Sequence, residues 1–107
     1  MSKFTSCLNK GFKMTFENGF TISVQWGIGN YCSVRDKDEF NAPKKQDFWD
    51  SASCEIAVFD NDGGFIELND SMVAGWLSTD TVAKVMTIVS SAKTSKEITL
   101  KCKALNL

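Results

Sequence analysis

The sequence predicts an α+β domain: a single antiparallel sheet of about five strands, ordered ββ–loop–ββ–α–β, with one helix packed on one face. Three observations predict it. Two neighbouring runs alternate apolar and polar residues on either side of an Asn-Gly pair. A third run is apolar on both faces. Near the C-terminal end a single apolar stripe recurs at helical spacing. The 107 residues, 43% of them hydrophobic, fit one domain, 1–107, with a small core.

Residues 1–10 are polar and read as a flexible lead-in. FKMTF (12–16) then sets Phe12, Met14 and Phe16 against Lys13 and Thr15, the period of a half-buried strand. Asn18-Gly19 follows, a hairpin signal because both residues tolerate positive φ. FTISVQW (20–26) alternates again, with Phe20, Ile22, Val24 and Trp26 inward and Thr21, Ser23 and Gln25 outward. Gly27-Ile28-Gly29-Asn30 breaks that strand. A long loop is predicted from 27 to about 52, with one helical turn near 46–50 and with Phe40, Phe48 and Trp49 pinning it to the body.

SCEIAVF (53–59) is the third strand. Cys54, Ile56 and Val58 share one face, and Ala57 and Phe59 the other, which suggests a central position. Asp60 to Gly64 is a hairpin turn leading to a fourth strand, FIEL (65–68). A calcium loop fits poorly there, because Phe65 falls where the obligatory Gly belongs and Ser71 where the closing Glu belongs. Ser78-Thr79-Asp80 opens a helix by side-chain capping and a favourable dipole. Val82, Val85, Met86 and Val89 form its apolar stripe, and it ends near Ala92. ITLKCKAL (98–105) alternates once more and reads as a closing edge strand with a lysine-lined outer face.

Composition excludes several function classes. The net charge is −1 and Arg35 is the lone Arg, so no basic surface for extended nucleic acid is expected. The chain has no His, which rules out Ser-His and Cys-His nucleophiles and His-based metal sites. The four cysteines, Cys7, Cys32, Cys54 and Cys102, form no C-x-x-C pair, so free thiols are expected, with Cys54 and Cys102 in the core. Gly27-Ile28-Gly29 lacks the third Gly and the helix of a dinucleotide fingerprint. No apolar run is long enough to span a membrane, and MSKFTSCLNKGFK has no signal-peptide core. The expectation is a non-enzymatic, cytoplasmic chain without cofactor or metal.

QWGIGNYCSVR (25–35) concentrates the unusual chemistry, including the only Tyr and the only Arg. Its structural reading is a packed loop: Trp26 ends the strand inward, Gly27 and Gly29 bend the chain, Asn30 supports the turn, and Tyr31 and Cys32 pack the loop back. Its functional reading is a ligand site built from Trp26, Gly27, Gly29, Asn30, Tyr31 and Arg35. Flat rings can stack on a base, bare backbone can be approached closely, and Arg pairs with phosphate. Trp76, just before the helix, is expected near the same end of the sheet. The same residue types equally suit a protein hot spot.

The words FTISVQWGIGNYCSVR, SCEIAVFD and VAGWLSTDTVAKVM, spanning roughly residues 14–90, resemble those of small accessory proteins encoded by tailed bacteriophages. Residues 1–13 and 93–107 lie outside the resemblance. It implies an accessory protein made in the host bacterial cytosol and brings no catalytic residues with it. The leading expectation is counter-defence, by sequestering a small anionic nucleotide signal of host immunity. The alternatives are a protein–protein inhibitor of a host defence complex and a minor virion or assembly component. An uncovered second sheet face would also suit a homodimer or higher homo-oligomer.

Overall fold

A computed structural model describes residues 2–8, 10–27, 29–33 and 50–107. Five strands form one antiparallel sheet in chain order: β1 (Lys3–Cys7), β2 (Gly11–Thr15), β3 (Thr21–Gln25), β4 (Cys54–Phe59) and β5 (Val73–Leu77). Two helices, α1 (Thr79–Ser91) and α2 (Ser95–Ala104), follow and close the core on one face. The α+β sheet expected from the alternation is therefore present, with a second helix added.

The β2–β3 hairpin turns at Asn18-Gly19 as expected, although only Gly19 takes the left-handed backbone, at φ +92. Phe16 N–H donates to the Phe20 carbonyl at 2.9 Å, and Gly19 N–H to the Phe16 carbonyl at 2.8 Å. Asn18 also reaches beyond its turn: its Nδ2 donates to the carbonyls of Val89 (2.8 Å) and Ala92 (3.0 Å) at the end of α1. That helix has no Gly after it, and the turn amide helps satisfy its last carbonyls.

Ile22, Val24, Ile56 and Val58 meet Val82, Val85 and Val89 in the core, with Phe12 and Met14 packed at its side. The opposite face carries Lys13, Thr15, Thr21, Ser23, Glu55, Ala57 and Phe59, because side chains alternate along each strand. Central position for β4 is borne out by its pairing to β3 and β5.

Four elements depart from expectation. The segment 98–105 is helical, not a closing strand. Thr94 and Glu97 carry the capping-box signature: Glu97 N–H donates to Thr94 Oγ1 at 3.1 Å, and Glu97 Oε1 reaches back to accept from the N–H of Lys93, one residue before the N-cap, at 3.0 Å. Ile98 and Cys102, four residues apart, are both fully buried, whereas Leu100 between them is exposed, as a helix demands. FIEL is not a strand either. Phe65 makes an isolated bridge to Phe59, and the chain then wraps across to α2, where the Glu67 carbonyl accepts from Thr99 Oγ1 at 2.6 Å. The strand beside β4 is instead Val73–Leu77, and residues 3–7 form β1 rather than a lead-in. The helical turn near 46–50 and the contacts of Phe40, Phe48 and Trp49 lie outside the described residues.

Candidate functional site

At the end of β3, Trp26 donates its N–H to the Lys10 carbonyl at 2.8 Å and sets its ring edge-on to Phe12, with centroids 6.3 Å apart. The chain then folds into a tight loop held by Asn30, which is buried. Asn30 Oδ1 accepts from Gly27 N–H at 2.9 Å; Asn30 Nδ2 donates to Gln25 Oε1 (3.2 Å) and to Glu55 Oε1 (3.0 Å). Tyr31 N–H donates to the other oxygen of Glu55 at 3.3 Å. Cys32 is buried, and its thiol donates to the Gly27 carbonyl. Gly29 is exposed with φ +86, a conformation that favours glycine.

The second half of the site is a β-bulge. Cys54 pairs with Leu77 and Ile56 with Ala74, so Gly75 and Trp76 together oppose Glu55. A Cβ at Gly75 would collide with Tyr31, so the loop can sit against β5 only because this position is bare. Trp76 itself has φ +53, a left-handed backbone that a bulky residue rarely adopts. Its N–H donates to the Tyr31 carbonyl at 2.8 Å, and the two rings stack with centroids 5.4 Å apart and planes 30° apart. Trp76 is 59% exposed and Tyr31 39%.

On the helix side of the same sheet end lies an open groove of about 520 Å³. Phe12, Val24, Trp26, Leu77, Val82 and Met86 wall it, and Asp50, Ser51, Ser53 and Thr79 supply polar groups. Ser53 is itself anchored by a hydroxyl pair with Ser33 at 2.7 Å.

The predicted site thus separates into three parts. Tyr31 and Trp76 come together on the surface, as expected. Trp26 belongs to the groove and to the core edge. Gly27 and Asn30 are consumed by the fold: the Gly27 donor that a ligand would use is taken by Asn30. Arg35 lies outside the described residues. Glu55 was missed, although it is the one charge in an otherwise apolar strand and could have been found on that ground. It is the acceptor around which Asn30 and Tyr31 are organised.

Thiol chemistry finds no support here. All four cysteines are free, and burial, with the nearby Cys32 and Glu55 adding to it, pushes the Cys54 thiol up to about 11. Burial also raises Cys102. Asp60 Oδ1 accepts from the N–H groups of Asp62 and Gly64, both at 2.9 Å, as a hairpin turn requires. Among the described residues no group of three or more metal-binding side chains converges, and no helix is long and apolar enough to cross a membrane. The chain matches no protein-family model, no curated protein and no solved structure.

Proposed function

We propose that this chain is a non-enzymatic accessory protein that acts by docking on another protein through the Tyr31–Trp76 pair. The resemblance to phage accessory proteins supplies the setting: counter-defence in the host cytosol, by obstruction of a host defence protein. The observation that carries the reading is the exposed Trp76 ring, held at φ +53 in a bulge and stacked on Tyr31. Backbone strain of this kind costs about 1–3 kcal/mol and concentrates at functional positions. Trp and Tyr are the residues that dominate protein interfaces when anchored on a rigid support.

The charge at this surface favours a protein over a nucleotide. The ionisable group drawn against the pair by Tyr31 N–H is the Glu55 carboxylate, which repels phosphate and suits a donor on a partner chain. Nucleotide sequestration is kept as a second reading on one observation, the groove beside Trp26, whose 520 Å³ falls in the size range of small-molecule sites. Arg35 is then the candidate phosphate partner.

The test is native mass spectrometry of the protein recovered gently from host cytosol, with and without cyclic and NAD-derived nucleotides. A stoichiometric protein adduct, absent in Trp76→Ala at unchanged melting temperature, supports docking. An added mass of nucleotide size that survives Trp76→Ala and is lost in Arg35→Ala supports the groove instead. A bare chain under every condition overturns both.

A further inference from the structure

We infer that the outer edge of β1 is a self-pairing surface, through which two copies of the chain join antiparallel about Thr5 into one continuous ten-stranded sheet. The phase of the hydrogen bonds shows which groups that edge offers. Phe16 N–H bonds across the hairpin to Phe20, so alternate residues of β2, Phe12 and Met14, turn their main-chain groups to β3. Lys13 and Thr15 turn theirs to β1, where they meet Thr5 and Lys3. The N–H and C=O groups of Phe4 and Ser6 therefore point away from the sheet. Among the described residues nothing pairs with them. The other edge differs: at β5 the Trp76 N–H is already taken by Tyr31.

Proteins that keep such an edge monomeric guard it with charge, proline or a bulge. β1 has none of these within its pairing: its register to β2 runs without interruption over five residue pairs, and its one charge, Lys3, is at its end. Phe4 is 78% exposed beside this edge.

The sequence of the strand selects a second copy as the occupant. In a twofold pairing centred on Thr5, Phe4 lies opposite the partner's Ser6 and Ser6 opposite the partner's Phe4, and these are the residues whose main-chain groups point outward. Four main-chain hydrogen bonds form. Lys3 meets the partner's Cys7 and never another Lys3. The two Phe4 rings sit diagonally across the junction, a separation of about 7–8 Å that aromatic side chains span. A net charge of −1 leaves little repulsion between copies. Because β1 and β5 are opposite edges of the sheet, the dimer carries a Tyr31–Trp76 pair at each far end.

Sedimentation velocity over chain concentrations from about 1 µM to about 1 mM tests this. The expected result is a concentration-dependent species of twice the 11.9 kDa chain mass. Ser6→Pro removes an outward N–H, a place where an edge strand tolerates proline, and should leave a monomer with nearly unchanged melting temperature. Phe4→Lys, which sets two lysines diagonally across the junction, should do the same by charge if the proline variant folds poorly. Amide exchange at Phe4 and Ser6 should slow as concentration rises, while exchange at exposed Met72 does not. A wild-type chain monomeric throughout, or a dimer that persists in both folded variants, overturns the inference.

Discussion

The carbonyl of Tyr31 accepts the N–H of Trp76 at 2.8 Å while the two rings stack, so backbone and side chain of each residue hold the other. The loop after β3 is thereby fastened to the bulge of β5, and a large aromatic ring is kept on the surface. Removing either ring leaves the main-chain bond, and removing the bulge would leave the loop without a seat.

Trp76 separates strain from stability. Truncation of its exposed ring should cost little: Trp76→Ala is expected to lower stability by no more than about 1 kcal/mol. Trp76→Gly should melt at or above Trp76→Ala, because glycine adopts φ +53 without penalty. Calorimetry of the two variants decides it. A glycine variant clearly less stable than the alanine one would mean that the left-handed backbone carries no strain. Both variants should lose partner binding alike.

Asn30 is the structural centre of the loop. Asn30→Ala strands the Gly27 N–H in a buried position and removes a donor from Glu55, so a loss of about 2–3 kcal/mol is expected in urea unfolding. The Tyr31–Trp76 stack should loosen with it, seen as a change in Trp fluorescence before global unfolding. An effect below about 0.5 kcal/mol would show that the loop is held by other means.

The sequence made the central hairpin, β4 and α1 legible because each carries a clean period and its own turn or cap signal. Phe12 to Trp26 alternates without a break around Asn18-Gly19, and Ser78 marks the start of α1. The failures have physical causes. Ile98, Leu100, Cys102 and Ala104 alternate like a strand, yet Ile98, Cys102 and Leu105 also recur at i, i+4, i+7; the Thr94–Glu97 capping-box signature was the deciding signal. β1 is polar because it is an edge, and β5 hides its period behind a bulge at Gly75-Trp76. At the site, the convergence of Tyr31 with Trp76 followed from placing both at one end of the sheet. The role of Glu55 did not: a lone charge in the apolar strand β4 marks it as unusual, but its position in the chain does not say that the loop at Asn30 and Tyr31 folds onto it.

Cys54 gives the fold a pH signature. Its folded pKa is raised from 9.0 to about 11 by burial, so the folded chain keeps the thiol proton after the unfolded chain has begun to release it. A raised folded pKa stabilises below the unfolded value and the gain is lost as pH rises through the folded one. Stability should therefore fall between about pH 9 and 11, by on the order of 2 kcal/mol from this group. Cys54→Ala should flatten that part of the profile relative to wild type. An unchanged slope would assign the alkaline loss to other groups. In the folded state at neutral pH, alkylating reagents should reach the half-buried Cys7 well before Cys54.

Asn18 joins two elements that are far apart in the chain. Its backbone makes the β2–β3 turn, its Oδ1 accepts from Phe20 N–H at 3.2 Å, and its amide nitrogen serves the carbonyls that end α1. The left-handed backbone of this turn falls at Gly19 (φ +92) and not at Asn18, so Asn18→Gly and Asn18→Ala both delete the side-chain bonds while leaving the turn conformation accessible. The glycine variant should lose about 1–2 kcal/mol, with faster amide exchange confined to the last turn of α1 and the hairpin tip. Asn18→Asp keeps the acceptor for Phe20 but sets a negative charge against two carbonyls at the negative end of the α1 dipole, so it should be the least stable of the three. Exchange measured residue by residue reads out the coupling directly. If Asn18→Gly left protection of residues 89–92 unchanged, the hairpin and the helix would be packed together by apolar contact alone.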